Sequence, residues 1–81
     1  MKPEIIGNRI RELMKIENID KKKLANNLEI TQIELEKKLN GEKEFYLSQI
    51  MKIKEIFNLN LDFFEKLFFE EDFKIEEILS K

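Results

Sequence analysis

Side chains that could carry out catalysis are scarce in this sequence. It contains no histidine and no cysteine, so it lacks the most common general base, the thiolate nucleophile, the usual zinc ligands and any disulfide. The hydroxyl candidates Thr31, Ser48 and Ser80 have no plausible base beside them in the sequence. We therefore predict a protein that is not an enzyme, with no catalytic residues, no bound metal and no cofactor.

Residues 24–41, LANNLEITQIELEKKLNG, suggest a different kind of chemistry. Leu24 and Leu28 share one helix face, and Thr31 is a suitable N-cap for a second short helix that ends at Gly41. Two short helices with a three-residue joint between them are typical of a motif that contacts bases in duplex DNA.

The charge balance is unusual for a partner of nucleic acid. The chain has 15 Lys and Arg against 17 Asp and Glu, a net charge of −2. Residues 1–45 hold ten basic and nine acidic side chains, whereas residues 46–81 hold five and eight. Two carboxylates, Glu34 and Glu36, lie on the helix that would approach phosphates. This predicts weak electrostatic affinity but does not exclude specific recognition, which depends on the local placement of charges.

The sequence predicts five helices, and a sixth at the C-terminus, that position residues 24–41 and their charges. Hydrophobic periodicity and capping residues predict their bounds at about Glu4–Ile16, Lys21–Leu28, Gln32–Leu39, Leu47–Phe57, Leu61–Phe68 and, more weakly, 72–81. Asn18 and Asn58 are placed to end helices, and Asp20 and Asn60 to begin them. The result is an all-α fold with one thin core, which a chain of 81 residues can only just build.

No other organisation is evident along the chain. Residues 1–69 are expected to form one domain and residues 70–81 a tail helix. No run approaches the roughly 18 apolar residues of a membrane span, and the first residues contain no signal-peptide core. We expect a cytoplasmic protein with no membrane partner.

Residues 6–62 resemble the helix-turn-helix domain of phage Cro and repressor proteins, also called XRE-type regulators. The resemblance lies in IGNRIREL, in Ile19 before the second helix, and in LANNLEIT, KLNG and LSQIMKIKEIFNLNLDFF. The stretch LNGEKEFYLSQIMKIKEIF is similar to repressors carried by phages of Gram-positive hosts. The resemblance implies a compact five-helix domain and a transcription regulator of phage or prophage type that binds a double-stranded DNA operator.

In this family the third helix lies in the major groove, while the second helix and nearby loops contact the backbone. The resemblance implies that Gln32 pairs with adenine, that Ile33 meets a thymine methyl and that Lys37 reaches a guanine or a phosphate. Glu34 accepts from a cytosine amine, repels the DNA backbone or remains solvated. The complete set of expected DNA-contacting residues is Lys21, Thr31, Gln32, Ile33, Glu34, Lys37, Asn40 and Lys43.

Besides the acidic Glu42 and Glu44, which stand where the family usually prefers basic residues, three interior positions depart from the family pattern. Where the family often pairs an arginine of the first helix with a glutamate of the third, this chain has Met14 and Leu39. A packed apolar pair can replace a buried ion pair at little cost, so we expect the fold to be kept. Lys38 stands where an aliphatic residue is usual, and we expect its stem to pack while its ammonium group reaches water.

The aromatic residues after position 60 are too numerous for one short helix to bury. We assign Phe64, Leu67 and Phe68 to the core. Five of the remaining apolar residues are expected to form the interface of a homodimer, which paired half-sites on DNA would require. They are Phe63, Phe69, Phe73, Ile78 and Leu79. The acidic composition keeps an alternative open, in which the helix-turn-helix fold is a protein-binding module of anti-repressor or antitoxin type.

Overall fold

The computed structural model describes residues 2–72, and in that range the chain forms five α-helices and no strand. They are α1 (Pro3–Glu17), α2 (Lys21–Leu28), α3 (Gln32–Leu39), α4 (Leu47–Ile56) and α5 (Leu61–Phe69). The predicted bounds of α2 and α3 are confirmed, those of α1 differ by one residue at each end, and those of α4 and α5 differ by one residue at the C-terminal end. The predicted sixth helix falls almost entirely on residues 73–81, outside the described residues, and only its expected first residue, Asp72, is seen, in a turn.

Polar side chains begin three of the helices in the way the sequence predicts. Asp20 Oδ1 accepts from the backbone N–H of Lys23 at 2.8 Å, and Thr31 Oγ1 accepts from that of Glu34 at 3.0 Å. Asn60 caps α5 in the same way. Each cap satisfies an N–H group that has no partner within the helix and contributes about 1 kcal/mol to stability.

Residues with a left-handed backbone conformation follow α1, α2, α3 and α4, the last of them Asn58 with φ 52°, which the sequence predicts to end its helix. Asn18 has φ 55° and Gly41 has φ 81°, as expected for residues that follow a helix. Glu29, with φ 59°, was not foreseen as such a residue. Its backbone N–H and that of Ile30 bond back to Asn26 and Ala25, which turns the chain from α2 into α3 within three residues.

One continuous core joins all five helices. Its buried apolar residues are Ile10, Leu13, Met14, Leu24, Ala25, Leu28, Leu35, Leu39, Ile53, Phe57, Phe64, Leu67 and Phe68. Met14 and Leu39 both belong to it, so an apolar pair does stand where the family often has an ion pair. Phe64, Leu67 and Phe68 are buried as predicted, and Phe45 is half-buried against the core.

The expectation for Lys38 was wrong. Its side chain is almost entirely buried, and its ammonium group donates to the carbonyl of Glu44 at 3.0 Å rather than reaching water. The same group lies 4.1 Å from the ring centroid of Tyr46 and 5.9 Å from that of Phe45. The loop after α3 therefore supplies both a hydrogen-bond acceptor and two aromatic faces, which compensate the charge inside the fold.

Arg9 is a second buried cation that the sequence did not predict. Its guanidinium donates to the carbonyls of Leu67 at 2.8 Å, Lys66 at 3.2 Å and Glu71 at 2.9 Å. The carbonyls of Lys66 and Leu67 lie in the last turn of α5, where most carbonyls lack a helical partner, and that of Glu71 lies just beyond the helix. Burial lowers the pKa of Arg9, although the carboxylates of Glu12 and Glu70 act in the opposite direction. Arg9 thus attaches the end of α5 to α1.

Candidate nucleic-acid interface

The helices α2 and α3 form the predicted helix-turn-helix, with residues 29–31 as the joint. Leu24 and Leu28 anchor α2, and Leu35 and Leu39 anchor α3, all in the common core. The burial of these four side chains fixes which face of each helix points to solvent. The outward face of α3 is therefore set by the packing of its inward face.

That outward face carries three of the expected base-contacting residues. Gln32, Ile33 and Lys37 are all exposed, and Ile33 has 73% of its surface accessible. Among the residues that the structure describes, none forms a side-chain hydrogen bond or an ion pair with Gln32 or Lys37. The first turn of α3 thus presents an amide, an apolar side chain and, one turn later, a lysine. Thr31 is exposed beside them, with its hydroxyl oxygen engaged in the cap.

α1 also approaches α3 very closely. A Cβ atom placed on Gly7 would overlap the carbonyl oxygen of Leu39 and lie 2.6 Å from its carbonyl carbon. Only glycine lets the two helix backbones come this near. The depth at which α3 sits in the domain, and hence how far its outer face projects, depends on this contact.

A cluster of three charged side chains links α1, α2 and α3. Glu36 on α3 lies 2.8 Å from the ammonium group of Lys21 on α2 and 3.1 Å from the guanidinium of Arg11 on α1. Arg11 also donates to the side-chain oxygen of Asn40 at 2.6 Å. Lys21, and to a lesser degree Arg11, lower the pKa of Glu36 by stabilising its charged form. Lys21 and Asn40, which were both expected to contact DNA, are thus held near each other by Glu36 and Arg11, which were not.

Arg11 is the functional candidate that the sequence interpretation missed. The ion pair between Arg11 and Glu36 does join α1 to α3. It lies one helical turn before Met14 on α1 and one turn before Leu39 on α3. The equal spacing from Met14 back to Arg11, and from Leu39 back to Glu36, was a signal that could have revealed it.

A second ion pair joins α3 to the loop that follows it. Lys43 Nζ lies 3.2 Å from Glu34 Oε1, with 51% of the lysine side chain and 37% of the glutamate side chain exposed. Both residues were expected at the interface with DNA. The two side chains do lie close together, but each one's charge is engaged by the other.

The predicted dimer residues are only partly described. Phe69 is 69% exposed and contacts Phe64 edge to face, with ring centroids 6.4 Å apart, whereas Phe63 is half-buried against the core. Phe73, Ile78 and Leu79 lie outside the described residues. Other exposed apolar side chains were not singled out beforehand: Ile16, Tyr46, Leu47, Met51 and Leu61.

Two features are absent from residues 2–72. These residues contain no group of three or more acidic residues arranged to hold a metal ion. No helix in the same range is long and apolar enough to cross a lipid bilayer.

The comparison with known proteins agrees with this geometry. The family model of the Cro/C1-type helix-turn-helix DNA-binding domain matches residues 9–62. No curated protein and no solved structure matches the chain significantly. The matched span begins in the second turn of α1 and ends at the second residue of α5. It includes every residue expected to contact DNA.

Proposed function

Because the chain belongs to the Cro/C1-type helix-turn-helix DNA-binding family, we propose that it is a sequence-specific DNA-binding transcription regulator without enzymatic activity. The observation that carries the proposal is the outer face of α3, where Gln32, Ile33 and Lys37 are exposed while Leu35 and Leu39 are buried behind them. A helix of this size fits the major groove, and in this motif its N-terminal residues meet the base edges.

We assign the base contacts to the first turns of α3. The amide of Gln32 has both a donor and an acceptor and can pair with the N6 and N7 atoms of adenine. Ile33 can cover the methyl group of thymine, which gives a reason for so large an apolar side chain being exposed. Lys37, one turn further on, can donate to guanine or to a phosphate.

Backbone contacts would come from residues on either side of α3. Lys21 at the start of α2 and Lys43 in the loop after α3 supply cations, while Asn40 and Thr31 supply neutral hydrogen-bonding groups. Such contacts place the domain on the duplex without selecting a sequence. The ion pairs of both lysines would have to be shared with, or exchanged for, phosphates.

We further propose that the protein acts as a homodimer in the cytoplasm on an operator with two half-sites. A single helix-turn-helix contacts few base pairs, and family dimers place their third helices one DNA turn apart, about 34–36 Å. The exposed Phe69 supports an interface after residue 60, together with Phe63 and the predicted residues Phe73, Ile78 and Leu79.

Sedimentation at micromolar concentration tests the dimer. Phe69→Ser should shift the protein toward monomer, whereas Leu61→Ser, a matched loss of an exposed apolar residue on the same helix, should not. A wild-type monomer that keeps both its state and its stability when residues 70–81 are removed would contradict this arrangement.

One alternative function is favoured by specific observations. The net charge is −2, and Lys21 and Lys43 are already paired with carboxylates of α3. Both facts suit a helix-turn-helix fold used as a protein-binding module, of anti-repressor or antitoxin type, with little affinity for DNA.

Selection of bound sequences from random duplex DNA at low salt distinguishes the two functions. We expect enrichment of a two-fold symmetric motif, and loss of preference at one position of each half-site with Gln32→Ala. A pool that shows no enrichment, with an affinity that does not respond to salt, would instead support the protein-binding module.

A further inference from the structure

Glu34 and Glu36, the two carboxylates on α3, both form ion pairs, but the two sets of ion pairs have different structural roles. Glu36 joins three separate helices, because Arg11 comes from α1 and Lys21 from α2. Its ion pairs therefore have an evident structural role. Within residues 2–72, Glu34 reaches only the loop that directly follows its own helix, where Lys43 lies 3.2 Å away. This second pair contributes nothing to the packing of one helix on another.

The loop around Lys43 is held in place without the ion pair. The backbone N–H groups of Glu42 and Lys43 both bond to the carbonyl of Lys37, at 2.9 and 3.4 Å, and that of Gly41 bonds to the carbonyl of Lys38. The buried ammonium group of Lys38 fixes the loop again at Glu44. Because the backbone is fixed, a change of partner at Lys43 needs only a rotation of its exposed side chain.

We propose that Glu34 is an intramolecular competitor for DNA phosphate at Lys43, and that it lowers the affinity of the protein for DNA of any sequence. This inference rests on the proposed function. In free protein the Lys43 ammonium group is neutralised by Glu34. On DNA it must leave that carboxylate, which then remains unpaired close to the phosphates.

The physical consequence concerns the sequence-independent part of binding. Each lysine that neutralises a phosphate releases a counterion and contributes to affinity for all duplexes. A lysine that exchanges one anion for another contributes much less. Binding then depends more on the contacts of Gln32 and Ile33, which have no partner to give up among the described residues. A regulator with weak affinity for random DNA is less depleted by the many non-specific sites of a genome.

The test measures affinity for a random duplex over a range of salt concentrations with four variants. Glu34→Gln keeps the shape of the side chain and releases Lys43. Glu55→Gln removes the same charge from an exposed position on α4 that forms no ion pair in the described part of the chain. Lys43→Ala and the double variant Glu34→Gln/Lys43→Ala complete a double-mutant cycle.

We expect Glu34→Gln to tighten binding to the random duplex by about fivefold, the scale of one exposed ion pair, and to steepen the salt slope by about 0.9. Glu55→Gln should change both quantities much less. The gain from Glu34→Gln should be much smaller in the Lys43→Ala background, because Glu34 then has no lysine to hold and only its repulsion of phosphate is removed.

Two results overturn the inference while leaving the proposed function intact. One is a Glu34→Gln protein that binds like Glu55→Gln, while wild type binds a selected site. The other is a gain of equal size in the Lys43→Ala background, which would show simple repulsion between Glu34 and phosphate. A protein that binds no duplex at low salt, with or without Glu34, would overturn both proposals together.

Discussion

The close contact between α1 and α3 makes Gly7→Ala the most informative single substitution for the fold. The added Cβ would overlap the carbonyl oxygen of Leu39 and lie 2.6 Å from its carbonyl carbon and 3.0 Å from its Cα. These are backbone atoms, so no side-chain rotation can relieve the overlap. The two helices must move apart, and the core residues between them must loosen.

Two opposing effects decide the magnitude. Replacing glycine by alanine inside a helix ordinarily stabilises it by about 1 kcal/mol. Overpacking a close contact, with the side-chain and backbone shifts that it forces, costs about 1–3 kcal/mol, and the overlap with the Leu39 backbone puts Gly7→Ala at the upper end of that range. We therefore expect a net loss of about 2 kcal/mol, which for a domain of this size lowers the melting temperature by about 8–16 °C.

Thermal unfolding followed by circular dichroism is the appropriate assay, with Asn8→Ala as the matched control. Asn8 is the next residue on α1 and is exposed, so the same alanine there should leave the melting temperature unchanged or slightly higher. If Gly7→Ala were as stable as Asn8→Ala, the helices could not be packed as closely as described. A folded Gly7→Ala protein should also bind a selected duplex more weakly, because α3 is displaced.

Three further predictions concern the interface and its charges. Gln32→Ala should weaken binding to a selected site by about 1–3 kcal/mol and remove preference at one base pair; equal affinities of wild type and variant for all four bases at that position would refute the assignment. Lys21→Ala should weaken binding to every duplex alike and flatten the salt slope by at most about 0.9, because Glu36 already holds part of that charge; a sequence-dependent loss in competition assays would argue against a phosphate contact. The lowered pKa of Glu36 means that its ion pairs stabilise the fold above the ordinary glutamate pKa, and that this stability is lost as the pH falls through the lowered value. The melting temperatures of wild type and Glu36→Gln should therefore differ at neutral pH and converge in acid, whereas a difference that is independent of pH would contradict the role given to these ion pairs.

The helices and their caps could be predicted because they depend on neighbouring residues. The caps formed by Asp20, Thr31 and Asn60 each join groups three residues apart. Hydrophobic periodicity identified the buried faces for the same reason, since residues three and four apart share a side of a helix. The left-handed residue Glu29 was missed because glutamate has no particular preference for that conformation. It adopts it because the chain must turn sharply between two helices that are packed on one core.

The sequence by itself also determined which residues stand on the outer face of α3, and its resemblance to the family placed Lys21 and Lys43 among the candidates for phosphate. Only the tertiary structure decided the partners of those charges. Arg11 meets Glu36 across 25 residues of sequence, a contact that the matched spacing to Met14 and Leu39 could suggest but not establish. Arg9 reaches the end of α5 across 57 residues, and no local pattern records that contact. The burial of Lys38 could not be predicted locally either, because the loop after α3 covers its ammonium group. The type of a charged residue can be taken from the sequence, but whether that charge is free to meet DNA depends on which helices the fold brings beside it.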